Sequence, residues 1–363
     1  MNHSIMKTVL GVLFLFLTAC GKADNQDGPG QGGAENKEDK FVKGADISWV
    51  TEMEQDGLTF KNAQGVTTDC FQLMKEIGMD AIRLRVWVNP QVGFCNKADV
   101  LAKARRAYAQ GLKLMIDFHY SDWFADPGRQ NMPADWAGKT LQELRQAVAD
   151  HTVDVLQALK SEGIEPAWVQ VGNETRNGMM WPAGQLWNEQ GDLTDGWKNY
   201  VSLSNAGYEA VKSIFPEANV LVHIDNAWDD QTWWFDKFTQ FGGKFDMIGL
   251  SHYPQTHQEL GWEEMNRRAL EHIQLWAERF DCRVMICEVG VKSADEALAA
   301  RVLTGFMTEA MKLEQCAGVF YWEPQVYGGW KPAIYNSLGW GAYDMGAFTS
   351  DGRPAAALDV FSE

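Results

Sequence analysis

Two glutamates, Glu174 and Glu288, each close a mostly apolar run: Trp168-Val169-Gln170-Val171-Gly172-Asn173-Glu174 and Val284-Met285-Ile286-Cys287-Glu288. Such runs mark strands buried on both faces, so each carboxyl would stand at the end of a rigid element. Paired carboxylates on a rigid frame can cleave a glycosidic bond. One protonates the leaving oxygen while the other attacks the anomeric carbon or activates water. A lone glutamate at a strand end is ordinarily a salt-bridge or capping residue. Two of them, with Asn173 directly before the first, are a more specific pattern.

The frame that must hold them can be read from the rest of the chain. Short strand-like runs at 42–48, 81–88, 112–119, 167–172, 220–225, 245–251, 283–288 and 318–322 alternate with helix-like stretches at 68–77, 97–110, 141–161, 197–214, 263–279 and 295–312. Eight β/α units in one body predict a closed (β/α)8 barrel. The absence of an early Gly-rich phosphate loop argues against an open doubly wound sheet. Polar residues gather at the C-terminal strand ends: Asp46, Arg85, His119, Asn173-Glu174, Asp225-Asn226, His252-Tyr253, Glu288 and Trp322-Glu323. Barrel active sites form at that face. The two glutamates then fall on the fourth and seventh strands.

Asn-Glu after the fourth strand and Glu after the seventh resemble clan A of the retaining barrel glycosidases. Within it, the chain closely resembles glycoside hydrolase family 53, the endo-β-1,4-galactanases. The matching stretches include Lys43-Gly44-Ala45-Asp46, Arg83-Leu84-Arg85-Val86-Trp87, Asp117-Phe118-His119-Tyr120-Ser121-Asp122, Val171-Gly172-Asn173-Glu174, Tyr253-Pro254 and Tyr321-Trp322-Glu323-Pro324, from first strand to last. The resemblance implies double displacement with retention on β-1,4-galactan, with Glu174 as acid/base and Glu288 as nucleophile. It implies that the pKa values of the two are pushed apart.

The supporting residues follow. Arg83, Arg85 and Trp87 alternate and so share the barrel interior. Arg85, nearer the strand end, is expected as the cation beside Glu288, with Arg83 buried and structural. Asn173 is expected to donate to the sugar 2-hydroxyl, and Tyr253 to be a hydroxyl partner of Glu288. Trp322 is expected to be the floor under the reacting sugar, and Trp87, Trp123 and Trp181 to line further subsites. Trp168 and Trp276 sit on apolar faces and read as packing. Asp46 fits either a sugar-hydroxyl contact or an ion pair with an arginine, and His119 either a substrate contact or a buried, hydrogen-bonded histidine. His252 stands where the family more often has an aromatic residue. Some family members bind calcium in a long loop after the seventh strand. Residues 289–295 pass quickly towards helix without a dense oxygen cluster, so no metal and no cofactor is expected.

Composition narrows the partner. A formal net charge of -17 argues against nucleic acid, whose phosphates need clustered Lys and Arg. Sixteen Trp, beside 18 Phe and 9 Tyr, suit a groove that stacks sugar rings. The expected partner is a neutral polysaccharide, bound by a monomer. At the N-terminus, an apolar run over 9–17 leads into Leu17-Thr18-Ala19-Cys20, which resembles a bacterial lipobox. Residues 1–19 are expected to be a signal peptide and Cys20 a lipidated anchor. A polar tether would then extend to residue 40, and residues 41–363 would form the catalytic domain, outside the cytoplasm on the outer membrane of a Gram-negative bacterium. Five cysteines remain. Cys287 reads as a buried thiol, while Cys70 with Cys95 and Cys282 with Cys316 are candidate pairs. A different clan A polysaccharidase and a non-catalytic surface glycan-binding protein are the competing readings.

Overall fold

The structure is a computed structural model and describes residues 40–257 and 259–363. The signal peptide, Cys20 and the tether up to residue 39 lie outside the described residues. Eight parallel strands close on themselves: β1 Val42–Asp46, β2 Ala81–Val86, β3 Lys113–Phe118, β4 Trp168–Val171, β5 Asn219–Ile224, β6 Met247–His252, β7 Val284–Val289 and β8 Cys316–Trp322. Each strand pairs with its sequence neighbours, and β8 pairs with β1, Asp46 standing opposite Trp322. The helices between the strands are α1 Val50–Gln55, α2 Cys70–Ile77, α3 Lys97–Ala109, α4 Leu141–Ser161, α5 Gly196–Ile214, α6 Thr232–Gln240, α7 Trp262–Phe280 and α8 Glu296–Ala310, and a one-turn α9, Tyr335–Leu338, follows β8. All eight expected strands and all six expected helices are present. The short α1, α6 and α9 were not anticipated. In α6, the sequence Thr-Trp-Trp-Phe has poor intrinsic helix propensity, and burial of Trp234, Phe235 and Phe238 supplies the stability instead.

Local chemistry sets the helix ends. Thr140 caps α4 through Glu143 and is capped in return, a reciprocal capping box. Asp69, Asn96 and Asp295 accept backbone N–H bonds at the starts of α2, α3 and α8.

Two apolar cores result from strand alternation. Outward residues such as Ile82, Leu84, Ile116, Val169, Val222, Ile248 and Ile286 pack beneath the helices. Inward residues Val42, Ala81, Met115, Trp168, Leu221, Met247, Met285, Cys287 and Phe320 plug the barrel. Trp168 and Trp276 are both buried packing residues, as their apolar settings indicated. The plug is filled to contact. A Cβ added at Gly44 would run into the Phe320 ring. Gly44→Ala should therefore destabilise by about 1–3 kcal/mol through overpacking. A thermal melt should show the loss, and Phe320→Leu should recover part of it.

The five cysteines of the barrel are free. The two expected pairings are thus corrected: Cys70, Cys95 and Cys316 are buried in packed surroundings, with the Cys95 thiol directed at the Ser48 carbonyl and the Cys316 thiol at the Gly318 carbonyl.

One irregularity matters for the site. Along β6 and β7, Leu250 pairs with Ile286 but Ser251 pairs with Glu288, so Cys287 is an extra residue on β7. The β7–β8 register shifts over the same stretch. Met285 and Cys287 face the barrel interior, so simple alternation would turn Glu288 outward beneath the helices. The bulge turns it inward as well.

Candidate active site

Above the apolar plug, the strands contribute a buried polar storey. Arg83 on β2 is its hub. Its Nη1 donates to Asp46 Oδ2 at 2.7 Å, and its Nη2 to Asp117 Oδ2 and Asn173 Oδ1, both at 2.8 Å. Its Nε donates to Gln170 Oε1 at 3.0 Å, and Nη2 also lies 3.0 Å from Glu288 Oε1. Arg83 and Asp46 are fully buried, so these charges interact with little solvent screening.

This corrects the sequence expectation for Arg85. That residue is also buried, but one step further along β2 its Nη1 meets Glu323 Oε1 at 2.5 Å. Its guanidinium lies among the rings of Phe124, Trp49, Trp87 and Trp322, 4.8, 5.1, 5.4 and 5.9 Å from their centroids. Arg83 therefore takes the place beside Glu288, and Arg85 braces the aromatic wall. Asp46, bonded to Arg83 and Ser48, is an ion-pair partner and not a surface for sugar hydroxyls. Trp87 is buried, its Nε1 3.4 Å from His119 Nδ1, and it presents no face to a ligand.

Glu288 receives a second donor, Tyr253, whose hydroxyl lies 2.8 Å from Oε2. Burial lifts the Glu288 carboxyl above its ordinary value, and Arg83 and the Tyr253 hydrogen bond pull it only part of the way back. Glu174 lacks a cation of that kind. Burial, the charge of Glu288 and that of Asp225 together push it well above the usual carboxylate range. The two glutamates titrate as a pair, with the higher affinity for the proton on Glu174.

Glu174 is held in an unusual backbone conformation. It sits in the left-handed region at φ 45° and ψ 51°, uncommon for a residue with a Cβ. Gln130 Nε2 donates to the carbonyls of Asn173 and Glu174 at 2.8 and 3.3 Å, locking the turn from outside. Asn173 is held in place with one Nδ2 hydrogen still free to donate. Its Oδ1 accepts from Arg83, and its Nδ2 donates to the Ala125 carbonyl at 2.8 Å.

His119 lines the cleft but is also tied down. Its Nδ1 accepts from the Ala125 N–H at 3.0 Å, so the proton sits on Nε2 and is donated to Asp117 Oδ2 at 2.9 Å. Burial raises the Asp117 carboxyl, but Arg83 and His119 outweigh it and hold the group below its ordinary value. His252 points away from the cleft. Its Nε2 meets Asn266 Oδ1 at 2.8 Å on α7, its ring packs on Phe306, and burial pushes its pKa down to about 4.

The resulting cleft, about 230 Å³, is lined by Glu174, Glu288, Asn173, His119, Tyr253 and Trp322, with Phe124, Ala125, Asp126, Tyr335 and Trp340 completing the walls. Trp322 is partly exposed there and backed by the edges of Trp49 and Tyr343, at 5.0 and 4.7 Å. Sequence reasoning left four polar residues without a role: Gln170, His223, Ser251 and Glu323. The first three have a usable signal, being polar residues on inward positions of otherwise apolar strands.

A family model for glycosyl hydrolase family 53 matches residues 42–361. The chain belongs to that family. The motif resemblance and the (β/α)8 barrel agree with it. An arabinogalactan endo-beta-1,4-galactanase of Thermothelomyces thermophilus is 30% identical over 341 residues, covering 88% of this chain and 98% of the relative. A Niallia circulans protein, named only as an uncharacterized protein in the bgaB 5' region, is 40% identical over 226 residues. That match spans 62% of either chain. Among solved structures, one described as belonging to two fungal beta-1,4-galactanases superposes with a TM-score of 0.75 at 29% identity, covering 88% of this chain and 98% of the other. Family 53 membership makes the protein a glycosyl hydrolase.

Proposed function

We propose that the protein hydrolyses β-1,4-galactosidic bonds within galactan and the galactan side chains of arabinogalactan, with retention of anomeric configuration. The observation that carries this reading is the asymmetry of the two carboxyls. Glu288 is aimed into the cleft by the bulge and has Arg83 and Tyr253 to favour its anion, whereas half-buried Glu174 has no such cation and is pushed further towards the protonated form.

In the first step, Glu288 attacks the anomeric carbon while Glu174 protonates the departing O4 of the next galactose. Glu174, now ionised, then takes a proton from water as that water displaces Glu288. Trp322 supplies the flat apolar surface under the reacting sugar. Galactose has one apolar face and an axial O4 on the other, so a single indole selects orientation as well as adding contact area. The galactan preference draws on the names of the full-length relatives. Lipidation at Cys20 would tether the enzyme outside the cytoplasm, where a polysaccharide is first met.

Linear β-1,4-galactan, followed over time by chromatography and by NMR of the new reducing ends, tests the reading. Oligosaccharides released from within the chain as the β-anomer are expected. First-formed α-anomer would exclude retention, and activity confined to glucan or mannan would exclude the substrate. Binding with no turnover by the unaltered protein would instead identify a glycan-binding protein.

A further inference from the structure

Beyond Glu174, two tryptophans that the mechanism does not use stand on the rim of the barrel. Trp233, the second residue of α6, is 46% exposed, the most of any tryptophan among the described residues. Its neighbour Trp234 is fully buried and does the packing for that turn of helix. Trp187 is half-buried and begins a two-stranded hairpin in which Trp187–Asn188 pairs with Gly191–Asp192. The two indoles meet with centroids 6.0 Å apart and planes tilted by 52°. Neither lines the cleft around the two glutamates. An exposed indole adds little to folding and leaves a large apolar face in water, so a pair of them at one place marks a binding surface.

Both rings are mounted on the turn that carries the acid/base. Thr175–Asn177 form a single helical turn straight after Glu174. Asn177 Oδ1 accepts from the N–H groups of Leu186 and Trp187 at 3.2 and 3.0 Å, and its Nδ2 donates to the Trp187 carbonyl at 3.1 Å. From α6, Trp234 Nε1 donates to the Arg176 carbonyl at 2.7 Å. Behind the pair, buried Trp197 meets Trp233 edge-on at 6.4 Å. Lys237 lies 5.9 Å from the Trp233 ring and 3.4 Å from Asp192 of the hairpin. The segments after β4 and β5 are thus clipped to one support, so little ordering is left to be done when a ligand arrives.

Position and shape together identify that ligand. Glu174 must reach the oxygen between the two sugars being parted, so the leaving stretch of chain lies on its side of the cleft. The reacting sugar lies on the other side, over Trp322. We propose that Trp187 and Trp233 form a platform for the leaving-group end of a long β-1,4-galactan chain, beyond the sugars held in the cleft. The proposal rests on galactan being the substrate and Glu174 the acid. Each indole takes the apolar face of a galactose by stacking. The axial O4 bends a galactan chain at every linkage, whereas the equatorial O4 of glucan and mannan keeps those chains extended. Two surfaces set at 52° match a bent chain and not a flat one. A grip away from the reacting centre acts on substrate and transition state alike, so it tightens binding without speeding the chemical step.

The test compares Trp187→Ala, Trp233→Ala and the double variant with the unaltered protein, each checked by thermal melting. The substrates are long linear galactan and an aryl β-galactobioside too short to extend beyond the cleft. On the polymer, each single variant should raise KM by roughly 3–10-fold with kcat little changed. On the aryl galactobioside, all three should match the unaltered protein. Trp233→Tyr keeps a flat ring and should recover most of the polymer KM. If Trp187→Ala folds poorly, Trp233→Ala and Trp233→Tyr decide the matter alone, since that side chain is largely outside the core. Unchanged polymer kinetics in folded Trp233→Ala, or equal losses on both substrates, would overturn the platform. So would a dimer of the unaltered protein in sedimentation that Trp233→Ala abolishes, because the patch would then belong to a second copy. Failure of the unaltered protein to cleave galactan would overturn the substrate reading, and the platform with it.

Discussion

Glu288→Ala should lower kcat on galactan by roughly four orders of magnitude or more, because the covalent step has no substitute nucleophile in the cleft. Arg83 and Tyr253 remain in the variant, so the cavity left by the carboxyl is cationic and bears a hydroxyl donor. A small anion such as azide should enter it and restore turnover of galactosides with good leaving groups. Attack from that side gives the α-galactosyl azide. Glu174→Ala should behave in the mirror sense. Its glycosyl–enzyme intermediate forms from activated substrates, azide attacks from the Glu174 side, and the β-azide results. Chromatography and NMR of the azide products distinguish the two. The β-product from Glu288→Ala, or no rescue of either variant with opposite stereochemistry, would reverse or remove the assigned roles.

The second large effect should come from Arg83. Five acceptors converge on its guanidinium: Asp46, Asp117, Glu288, Asn173 and Gln170. Arg83→Met would leave three buried carboxylates without their cation, a loss of about 3–5 kcal/mol. Its dependence on pH should also weaken. In the unaltered protein, Asp117 is held below its ordinary value, so it contributes stability that is present above the unfolded pKa and lost as pH falls through the folded one. Without Arg83, His119 is left as the main group opposing burial at Asp117, so its folded pKa rises and the loss of stability towards acid pH shrinks. Arg83→Lys keeps the charge but has three donors in place of five and lacks the planar fork. It should fold, lose roughly 100-fold in kcat, and show an acidic limb displaced to higher pH as Glu288 becomes harder to ionise. Denaturant melts at two pH values and a kinetic pH profile check both variants. Arg85→Lys is the control: it should leave the acidic limb in place, because Arg85 pairs with Glu323.

The contrast between Arg83 and Arg85 shows what the sequence carries and what it does not. Alternation along 81–88 places both arginines inside the barrel, and this holds. Which of them meets Glu288 depends on depth, and depth depends on the stagger of eight strands around a closed sheet, a relation that no local stretch encodes. The strands themselves were legible because each is a continuous apolar run, and both glutamates because they end such runs. His223 and Ser251 were missed because attention to the strand ends passes over polar residues one turn of pleat deeper. The orientation of Glu288 was reached by residue type alone, since alternation from Met285 and Cys287 argues against it. The two cysteine pairings went wrong for a related reason: nearness to the same end of the barrel does not bring buried thiols into contact.

The bulge in β7 has a consequence for how this strand can change. With Cys287 and Glu288 both turned inward, one extra side chain must be housed on the barrel wall. Opposite it stands Gly249 on β6, where an added Cβ would come 2.7 Å from the Cys287 sulfur. Gly249 and Cys287 are 38 positions apart but occupy a single allotment of space, so neither is free to vary alone. A larger residue at 249 would demand a smaller one at 287, or removal of the bulge. Removing it would turn the nucleophile away from the substrate. The freedom of two inconspicuous residues is thus tied to the chemistry of a third, and a lineage that relaxed the constraint would first lose its catalytic carboxylate.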